Sequence, residues 1–278
     1  MPSLERCWLF ARSAMSAEGR PDTRVVELVG TVLIDLVAAT RRADPGMEWF
    51  FDPEASPTGS HVSLGFHATP AALAAVRARL LAYDPGVSFP AGRCVVRDAA
   101  RGGPLASAGS DLALALLGGD APWLAGVELP LAVAHLRHLT ALVPAANRLA
   151  FLFLHWQERG QRLTAAQRRD LAAQADARAE KIVLSAGDLP LGGAVAVAWR
   201  HYLDRVADVV GREHPATPSG FLLAHHAQLT HDRWGIGPEV DSLAALALRL
   251  SMVRDRPVVA APVPVAQRRQ QPHARVRT

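Results

Sequence analysis

The stretch from Phe221 to Val253, FLLAHHAQLTHDRWGIGPEVDSLAALALRLSMV, decides the fold of the C-terminal part of the protein. It begins with an apolar run that carries His225 and His226, passes through a polar turn, and restarts at Pro238 as an amphipathic helix. Apolar residues in this second segment recur at steps of three and four, and proline suits a first helical turn. Histidines, an amide, an Asp-Arg pair and an indole therefore lie where a helix ends, and such a polar cluster bounded by apolar helices suits a pocket wall.

The length and composition bound the class of protein. The 278 residues, half of them hydrophobic, suffice for one large domain or two small ones. No apolar run reaches the roughly 18 residues of a membrane span, and the N-terminus has no secretory signal pattern. The two cysteines, Cys7 and Cys94, are too few for a disulfide framework, so we expect a cytoplasmic protein.

The basic isoelectric point, about 9.8, has its source at the C-terminal end. Residues 255–278 contain five arginines and one aspartate, and their net charge of +4 equals that of the whole protein. The remainder is near neutral, whereas a nucleic-acid-binding domain carries a basic face, so the sequence argues against a nucleic-acid role. Repeated prolines without helical periodicity predict a disordered tail over 255–278, after a single domain over 1–254.

The N-terminal part predicts a small antiparallel sheet with helices. Residues 3–18 contain a strand pattern, and residues 22–42 keep helical spacing. Between Trp49 and His67, an aromatic run, a turn-forming stretch and an alternating run predict a β-hairpin. A helix over 70–83 follows, and a strand followed by a helix after a hairpin is typical of the α+β class.

The C-terminal half is predicted to be mostly helical. Residues 84–111 are rich in Gly, Pro and Ser and predict a surface loop, with one short strand near Cys94 to Val96. Helical periodicity then recurs in six segments: 110–118, 130–142, 145–158, 164–182, 189–210 and 219–231.

No standard catalytic motif is present in the sequence, neither a phosphate-binding P-loop nor a GxSxG elbow nor a CxxC pair. The nearest approach to a metal site is His225, His226 and His231. Helical zinc ligands are spaced three or four residues apart, and these histidines are one, five and six apart. We therefore predict no metal and read these histidines as ordinary hydrogen-bonded residues.

Other polar residues lie in apolar helices or on the hairpin. Tyr202, beside His201, sits at a helix centre, where a phenol is normally a core residue with a satisfied hydroxyl or else a proton donor in a pocket. On the hairpin, His61 and His67 share one face because they are six residues apart. Ser63 and Gly65 lie between them, so this face is predicted to be small and polar, either lining a cleft or solvated. Glu48, before the aromatic run, is a candidate buried carboxylate.

Two stretches of the sequence resemble one family. WFFDPEASPTGSHVSLGFHATPAALAAVRARL, residues 49–80, resembles the WFFxRYxxxxxHLRLRFxG segment of the lanthipeptide dehydratase C-terminal domain, also called the thiopeptide-type bacteriocin biosynthesis domain. AQLTHDRWGIGPEVDSLAALALRLS, residues 227–251, resembles the closing HMxxNRLGI segment of that family with its following helix. The resemblance covers about residues 5–253 and implies an elimination-domain-like catalytic fold.

The departures from the family pattern bear on function. In the eliminating members, two arginines of HLRLR and the histidine of HMxxNR handle the glutamylated Ser/Thr side chain and the departing glutamate. Here Ser63 and Gly65 replace the arginines and Gln228 replaces the histidine. Without those cations and that proton-transferring group, glutamate elimination loses its physical support.

One branch of the family fits these departures, namely the stand-alone pyridine synthases of thiopeptide biosynthesis. The resemblance implies a formal [4+2] aza-cycloaddition between two dehydroalanines of a leader-bearing, azole-containing precursor peptide. Loss of water and leader peptide would then give a macrocycle with a central pyridine. No cofactor, metal, nucleic acid or membrane is implied, and the family tendency favours a homodimer.

The resemblance also gives the candidate residues their roles. Tyr202 or His201 would donate or relay a proton, while Gln228 and His225 would hydrogen-bond the reacting amide. The substrate-binding candidates are His61, Ser63, His67, Glu48 and Arg233. Two alternatives remain, a non-catalytic protein that binds a leader peptide or a dehydratase, and a divergent glutamate-eliminating domain.

Overall fold

The structure is a computed structural model, and it describes residues 5–14, 28–56, 59–90, 103–118, 126–189, 193–212 and 219–254. The strands in this part are β1 (Cys7–Ala14), β2 (Glu48–Ser56) and β3 (Gly59–Ala68). The α-helices in it are α1 (Ile34–Ala43), α2 (Pro70–Tyr83), α3 (Pro104–Leu117), α4 (Glu128–Leu142), α5 (Arg148–Gly160), α6 (Ala165–Ser185), α7 (Gly193–Gly211), α8 (Ser219–Arg233) and α9 (Pro238–Arg254). A π-helical turn at Val29–Leu33 leads into α1.

The three strands form one antiparallel sheet in the order β1-β3-β2. In β3, Val62, Leu64 and Phe66 point into the core and are at most 1% exposed, while the residues between them point to the other face. This alternation is the period of two that the sequence showed. The predicted hairpin is confirmed, with Trp49 of β2 opposite Phe66 of β3.

The α+β class is confirmed, a small N-terminal sheet followed by a mostly helical part. The helix predicted over 70–83 has those bounds. The loop predicted over 84–111 is wrong at its end, because α3 begins at Pro104. The Gly and Ser residues that indicated a loop are small residues at a helix contact, where Gly109 and Ser110 are buried. The strand predicted near Cys94 and the tail over 255–278 lie outside the described residues.

Helix α9 is the central helix of the C-terminal part and packs against α4, α5 and α6. Its buried positions include Ala244, Ala245 and Ala247, whose small side chains let neighbouring helices approach closely. Asp241 and Ser242 are fully buried in its first turns. Because a buried carboxylate requires charged or hydrogen-bonding partners, the start of α9 marks a polar site inside the helical layer.

The outer edge of β2 is covered by side chains. The backbone N–H of Phe51 donates to the hydroxyl of Ser110 on α3 at 3.2 Å. The carbonyl of the same residue accepts from Nε of Arg233, at the end of α8, at 2.7 Å. These two bonds join the sheet to the helices, and they place Arg233 between the sheet and the polar site.

Within the described part of the sequence, none of the helices combines the length and apolar character required to cross a membrane.

Candidate active site

Helix α8 presents polar side chains on two sides. His226, Thr230 and Arg233 follow at steps of four and three, which places them on one face of a helix with 3.6 residues per turn. His231 projects to another side, toward α4 and the start of α9. All four side chains are fully buried. Helix α8 therefore supplies buried polar side chains on two of its sides.

Five side chains from four helices form a continuous hydrogen-bonded chain, here called the buried network. The Tyr202 hydroxyl lies 3.0 Å from Nε2 of His226 and 2.7 Å from Nε2 of His135. Nδ1 of His135 lies 2.8 Å from Nε2 of His231. Nδ1 of His231 lies 2.8 Å from Oδ1 of Asp241. The network thus runs from α8 through α7 and α4, back to α8, and ends on α9.

Burial sets the protonation of the histidines in the network. It lowers the pKa of His226 to about 3, with the nearby Arg233 guanidinium acting in the same direction. Burial also lowers the pKa of His231, and it lowers the pKa of His135 well below the usual range. The three imidazoles are therefore neutral at neutral pH.

Asp241 is ionised and Tyr202 is not. Burial alone would raise the pKa of Asp241, but the charges and hydrogen bonds of His155 and His231 hold it well below its ordinary value. Burial raises the pKa of Tyr202 well above its ordinary value, although the Thr230 hydroxyl opposes this. At neutral pH the network consists of one carboxylate, three neutral imidazoles and one neutral phenol.

These charge states fix the direction of every hydrogen bond in the network, since a neutral imidazole has one donor and one acceptor nitrogen. The carboxylate of Asp241 only accepts, so His231 donates from Nδ1 and accepts at Nε2. His135 then donates from Nδ1 and accepts at Nε2 from the Tyr202 hydroxyl. The phenol oxygen in turn accepts from Nε2 of His226. Every proton in the network therefore points toward Asp241.

Asp241 has two further partners. Nε2 of His155 donates to its Oδ1 at 2.6 Å, and Nε of Arg159 lies 2.7 Å from its Oδ2. Arg159 also pairs with Asp232 at 2.8 Å. The ligand atoms of His155, His231 and Asp241 are close enough together to hold a metal ion. The Arg159 guanidinium, however, places a positive charge directly at this carboxylate, so the donor set matches an ion pair and not a cation site.

A second polar corner lies where α8 meets the sheet. Nη2 of Arg233 pairs with Oδ1 of Asp52 at 2.5 Å. Nη1 of Arg233 and Nδ1 of His226 are buried and have no hydrogen-bond partner among the described residues. Gly109 of α3 lies against this corner, and a Cβ there would be 3.1 Å from Nη1 of Arg233 and 3.3 Å from Oγ1 of Thr230. A Cβ at Gly109 would thus be in tight contact with both side chains, so the two helices approach closely at this glycine.

The hairpin face differs from the small polar face that the sequence predicted. The Phe50 ring lies over Gly65, and a Cβ at that glycine would be 2.5 Å from its Cε1. His67 stacks on Trp8 of β1 with ring centroids 4.9 Å apart. Aromatic side chains of β1 and β2 therefore cover this face of β3 at His67 and at Gly65.

The remaining hairpin candidates lie on the same face of the sheet. His61 pairs with Glu54 at 2.9 Å. The Ser63 hydroxyl is buried without a hydrogen-bond partner among the described residues. Ser63 is flanked in register by Asp52 and by the exposed Arg12. Half-buried Glu48 lies opposite His67.

The predicted catalytic residues do not meet at one point. Tyr202 belongs to the buried network, whereas His201 is exposed. Gln228 donates from Nε2 to Glu158 on α5, and His225 is half-buried. Gln228 lies about 200° around the helix from His226, so the two side chains leave α8 on opposite sides.

Sequence reasoning gave no role to His135, Asp241, Asp52 or Glu158. A signal for two of them was present in the helical period. His135 falls on the apolar face of α4 with Leu131 and Leu139, each four residues away. Asp241 precedes the buried alanines of α9 at helical spacing. A polar residue on a buried helical face requires a partner, and this could have marked both residues from sequence alone.

The sequence matches no protein-family model and no curated protein sequence. Solved structures similar to this one include the following two. The tRNA-dependent lantibiotic dehydratase MibB from Microbispora sp. 107891 matches 90% of the protein with a TM-score of 0.58 and 17% identity. TsrL matches 91% with a TM-score of 0.57 and 13% identity. The protein spans 28% of the length of MibB and 96% of the length of TsrL, and it shares its fold with both.

Proposed function

We propose that the protein is a thiopeptide pyridine synthase. It joins two dehydroalanines of a leader-bearing, azole-containing precursor peptide by a formal [4+2] aza-cycloaddition. The amide before one dehydroalanine reacts as its imidic tautomer, and its carbonyl carbon becomes a ring carbon. Loss of the amide oxygen as water, and of the leader peptide as a carboxamide, leaves a macrocycle closed by a pyridine.

The packing at Gly65 carries this proposal. Gly65 stands at a position where the eliminating members of the resembled family have an arginine, and the Phe50 ring fills that space. Ser63 stands at the other of the two arginine positions. A departing glutamate would therefore lose two of its cationic partners, whereas a cycloaddition releases no carboxylate.

The remaining groups suit a reaction that needs orientation and proton movement. Holding two alkenes in contact can lower a barrier by about 7 to 11 kcal/mol in favourable cases. The buried network supplies phenol and imidazole groups able to move protons, with Tyr202 as a relay between His226 and His135. Gln228 faces Glu158 with its amide nitrogen, so its carbonyl oxygen remains to accept from a peptide N–H on the half-buried side of α8.

The fold supports a role in peptide modification. One structure that shares it is a tRNA-dependent lantibiotic dehydratase, whose name places it in antibiotic biosynthesis. The other, TsrL, has this fold at nearly the length of the present protein. We extend this to an enzyme that acts on a precursor peptide. That this enzyme is a homodimer and needs no cofactor stays a prediction.

The test is mass spectrometry of the purified protein with an azole-bearing, dehydrated precursor peptide that carries its leader. We expect release of a leader carboxamide and of a macrocycle lighter by that leader and one water. The matched peptide with one dehydroalanine replaced by alanine should stay unchanged, since one alkene cannot form the ring. An unchanged substrate that still binds the protein, under conditions in which a known synthase converts it, would refute the proposal and favour a leader-binding partner.

Glutamate elimination is a second candidate because of Arg12. Its exposed side chain stands on β1 beside Ser63, so a guanidinium from a neighbouring strand lies near one lost arginine position. A peptide with glutamylated serine distinguishes the two functions. Loss of glutamate with formation of dehydroalanine would establish elimination, and a stable ester would exclude it.

A further inference from the structure

The side of α8 that faces away from His226 is accessible. Phe221, His225, Gln228 and Asp232 follow at steps of four, three and four, which places them on one stripe of the helix. Phe221 is 50% exposed, the Asp232 side chain is 22% exposed, and the two residues between them are half-buried. The five side chains of the buried network, in contrast, are at most 1% exposed. A bound peptide therefore reaches this stripe directly, whereas it does not touch the network.

Glu158 of α5 faces the middle of this stripe. Its half-buried carboxylate accepts at Oε2 from Nε2 of Gln228, while Oε1 has no partner among the described residues. A carboxylate only accepts, so the amide nitrogen of Gln228 has to face it. One amide hydrogen and the carbonyl oxygen of Gln228 stay available. The pair thus presents an unengaged carboxylate oxygen beside an amide that both donates and accepts.

Glu158 forms no ion pair within the described part of the protein. The guanidinium of Arg159 is 1% exposed and pairs with Asp232 at 2.8 Å and with Asp241 at 2.7 Å. Arg162, which is 63% exposed, lies 3.8 Å from Asp232. These neighbouring cations thus pair with other carboxylates. No ion pair therefore competes with a substrate N–H for Oε1 of Glu158.

We infer that Glu158 is the catalytic base of the proposed reaction and that Gln228 holds the substrate beside it. This inference rests on the proposed function, in which one peptide amide reacts as its imidic tautomer. Oε1 of Glu158 takes the N–H proton of that amide. Gln228 binds the neighbouring peptide group through its carbonyl oxygen and its second amide hydrogen. Glu158 and Gln228 are both catalytic residues here, because each contacts the substrate.

The proton balance closes within Glu158 and the substrate. The amide N–H bond breaks and an O–H bond forms on Glu158, which leaves an imidate with the negative charge on its oxygen. The protonated carboxyl group then gives the same proton to that oxygen, so the amide becomes its imidic form and the carboxylate is restored. The new hydroxyl is retained through ring closure and is later lost in water. No electrons are transferred and no co-reactant is needed.

The first test compares turnover of the dehydrated precursor peptide by wild type, Glu158→Gln and Glu239→Gln. Glu158→Gln keeps the size of the side chain and an oxygen that accepts from Gln228, but it removes the base. We expect kcat to fall roughly 100-fold or more with little change in KM, since general-base catalysis contributes factors of this size. Glu239→Gln is the matched control and should leave both constants unchanged. Glu239 also accepts from a glutamine, Gln167, at 2.5 Å, but at the exposed contact of α6 and α9.

The second test separates a base from a positioning residue. Glu158→Ala removes the carboxylate and leaves room for a small one. Added formate should therefore raise kcat of this variant roughly tenfold or more, within the range of general-base catalysis, whereas chloride at the same ionic strength should not. A residue that only holds Gln228 in place gives no such recovery. A slow Glu158→Ala variant that gains nothing from formate would overturn the inference.

The outcomes separate the inference from the proposed function. Wild-type turnover with an undiminished rate in folded Glu158→Gln would overturn the inference and leave the pyridine synthase intact. If Glu158→Gln does not fold by circular dichroism, the formate dependence of Glu158→Ala still decides. A wild-type protein that forms no macrocycle would refute the proposed function, and the inference with it.

Discussion

Acidification should destabilise this protein steeply between pH 7 and pH 5. Three histidines of the buried network have a lowered pKa in the folded state, because burial opposes their charged form. In the unfolded protein they titrate near pH 6.5. The unfolded state therefore binds more protons as the pH falls, and stability is lost below that pH. Asp241, with its pKa below the ordinary value, loses its contribution only at lower pH.

The size of the effect follows from the linkage relation. A histidine that stays neutral in the folded state and titrates normally when unfolded lowers the free energy of unfolding by about 2 kcal/mol between pH 7 and pH 5. His226, with a folded pKa of about 3, meets this condition. The three network histidines together lower the free energy of unfolding by up to about 6 kcal/mol over this range. This is a large part of the roughly 5 to 15 kcal/mol by which a typical domain is stable. Half-buried His138, whose pKa burial also lowers, adds in the same direction.

The assay is urea unfolding by circular dichroism at several pH values, giving the free energy of unfolding and its slope against pH. His226→Gln should reduce this slope by about one proton, because one of the titrating groups is gone. Tyr202→Phe is the matched control, since it removes two hydrogen bonds of the network but no group that titrates in this range. It should lower stability at every pH and leave the slope unchanged. A free energy of unfolding that is flat between pH 7 and pH 5 would refute the assignment of neutral, buried imidazoles.

Two substitutions test the packing around the site. Gly65→Ala should lower the free energy of unfolding by about 1 to 3 kcal/mol, because its methyl group would meet the Phe50 ring, whereas Gly30→Ala, with nothing within 4 Å, should not. Equal urea midpoints for the two variants would contradict this packing. Arg233→Met should cost about 3 to 5 kcal/mol by removing the guanidinium that pairs with buried Asp52. Adding Asp52→Asn should recover part of that loss, and a double variant less stable than Arg233→Met would argue against the pairing.

The sequence predicts the fold well where local periodicity and packing agree. The helix over 70–83 has the bounds that helical spacing indicated. The predicted hairpin is present, but its strands, Glu48–Ser56 and Gly59–Ala68, extend through most of the stretch 52–60 that was predicted to be a turn. Helix α3 is the instructive failure. Its Gly and Ser residues favour loops in isolation, yet they are buried because α3 packs closely on α8 and β2. Tertiary contact thus overrode local propensity, and a single sequence does not show which surfaces meet.

The site was predictable only in part for the same reason. Tyr202 stood out as a rare phenol in a helix, but its partners His135 and His226 come from helices 67 and 24 residues away in sequence. Gln228 was identified by its position in a motif. The motif does not show, however, that Glu158 of α5 lies beside it. Periodicity assigns a residue to a face of its own helix, whereas a site requires knowing which faces are opposite one another.

In the proposed cycloaddition, one ring carbon comes from an amide carbonyl whose oxygen is lost as water. The most direct measurement uses a precursor peptide with oxygen-18 in that one carbonyl, followed by mass spectrometry of the macrocycle and the leader carboxamide. We predict that both products lack the label. A macrocycle that retains oxygen-18 would contradict the aza-cycloaddition, and recovery of only the intact labelled peptide would show that the protein does not perform it.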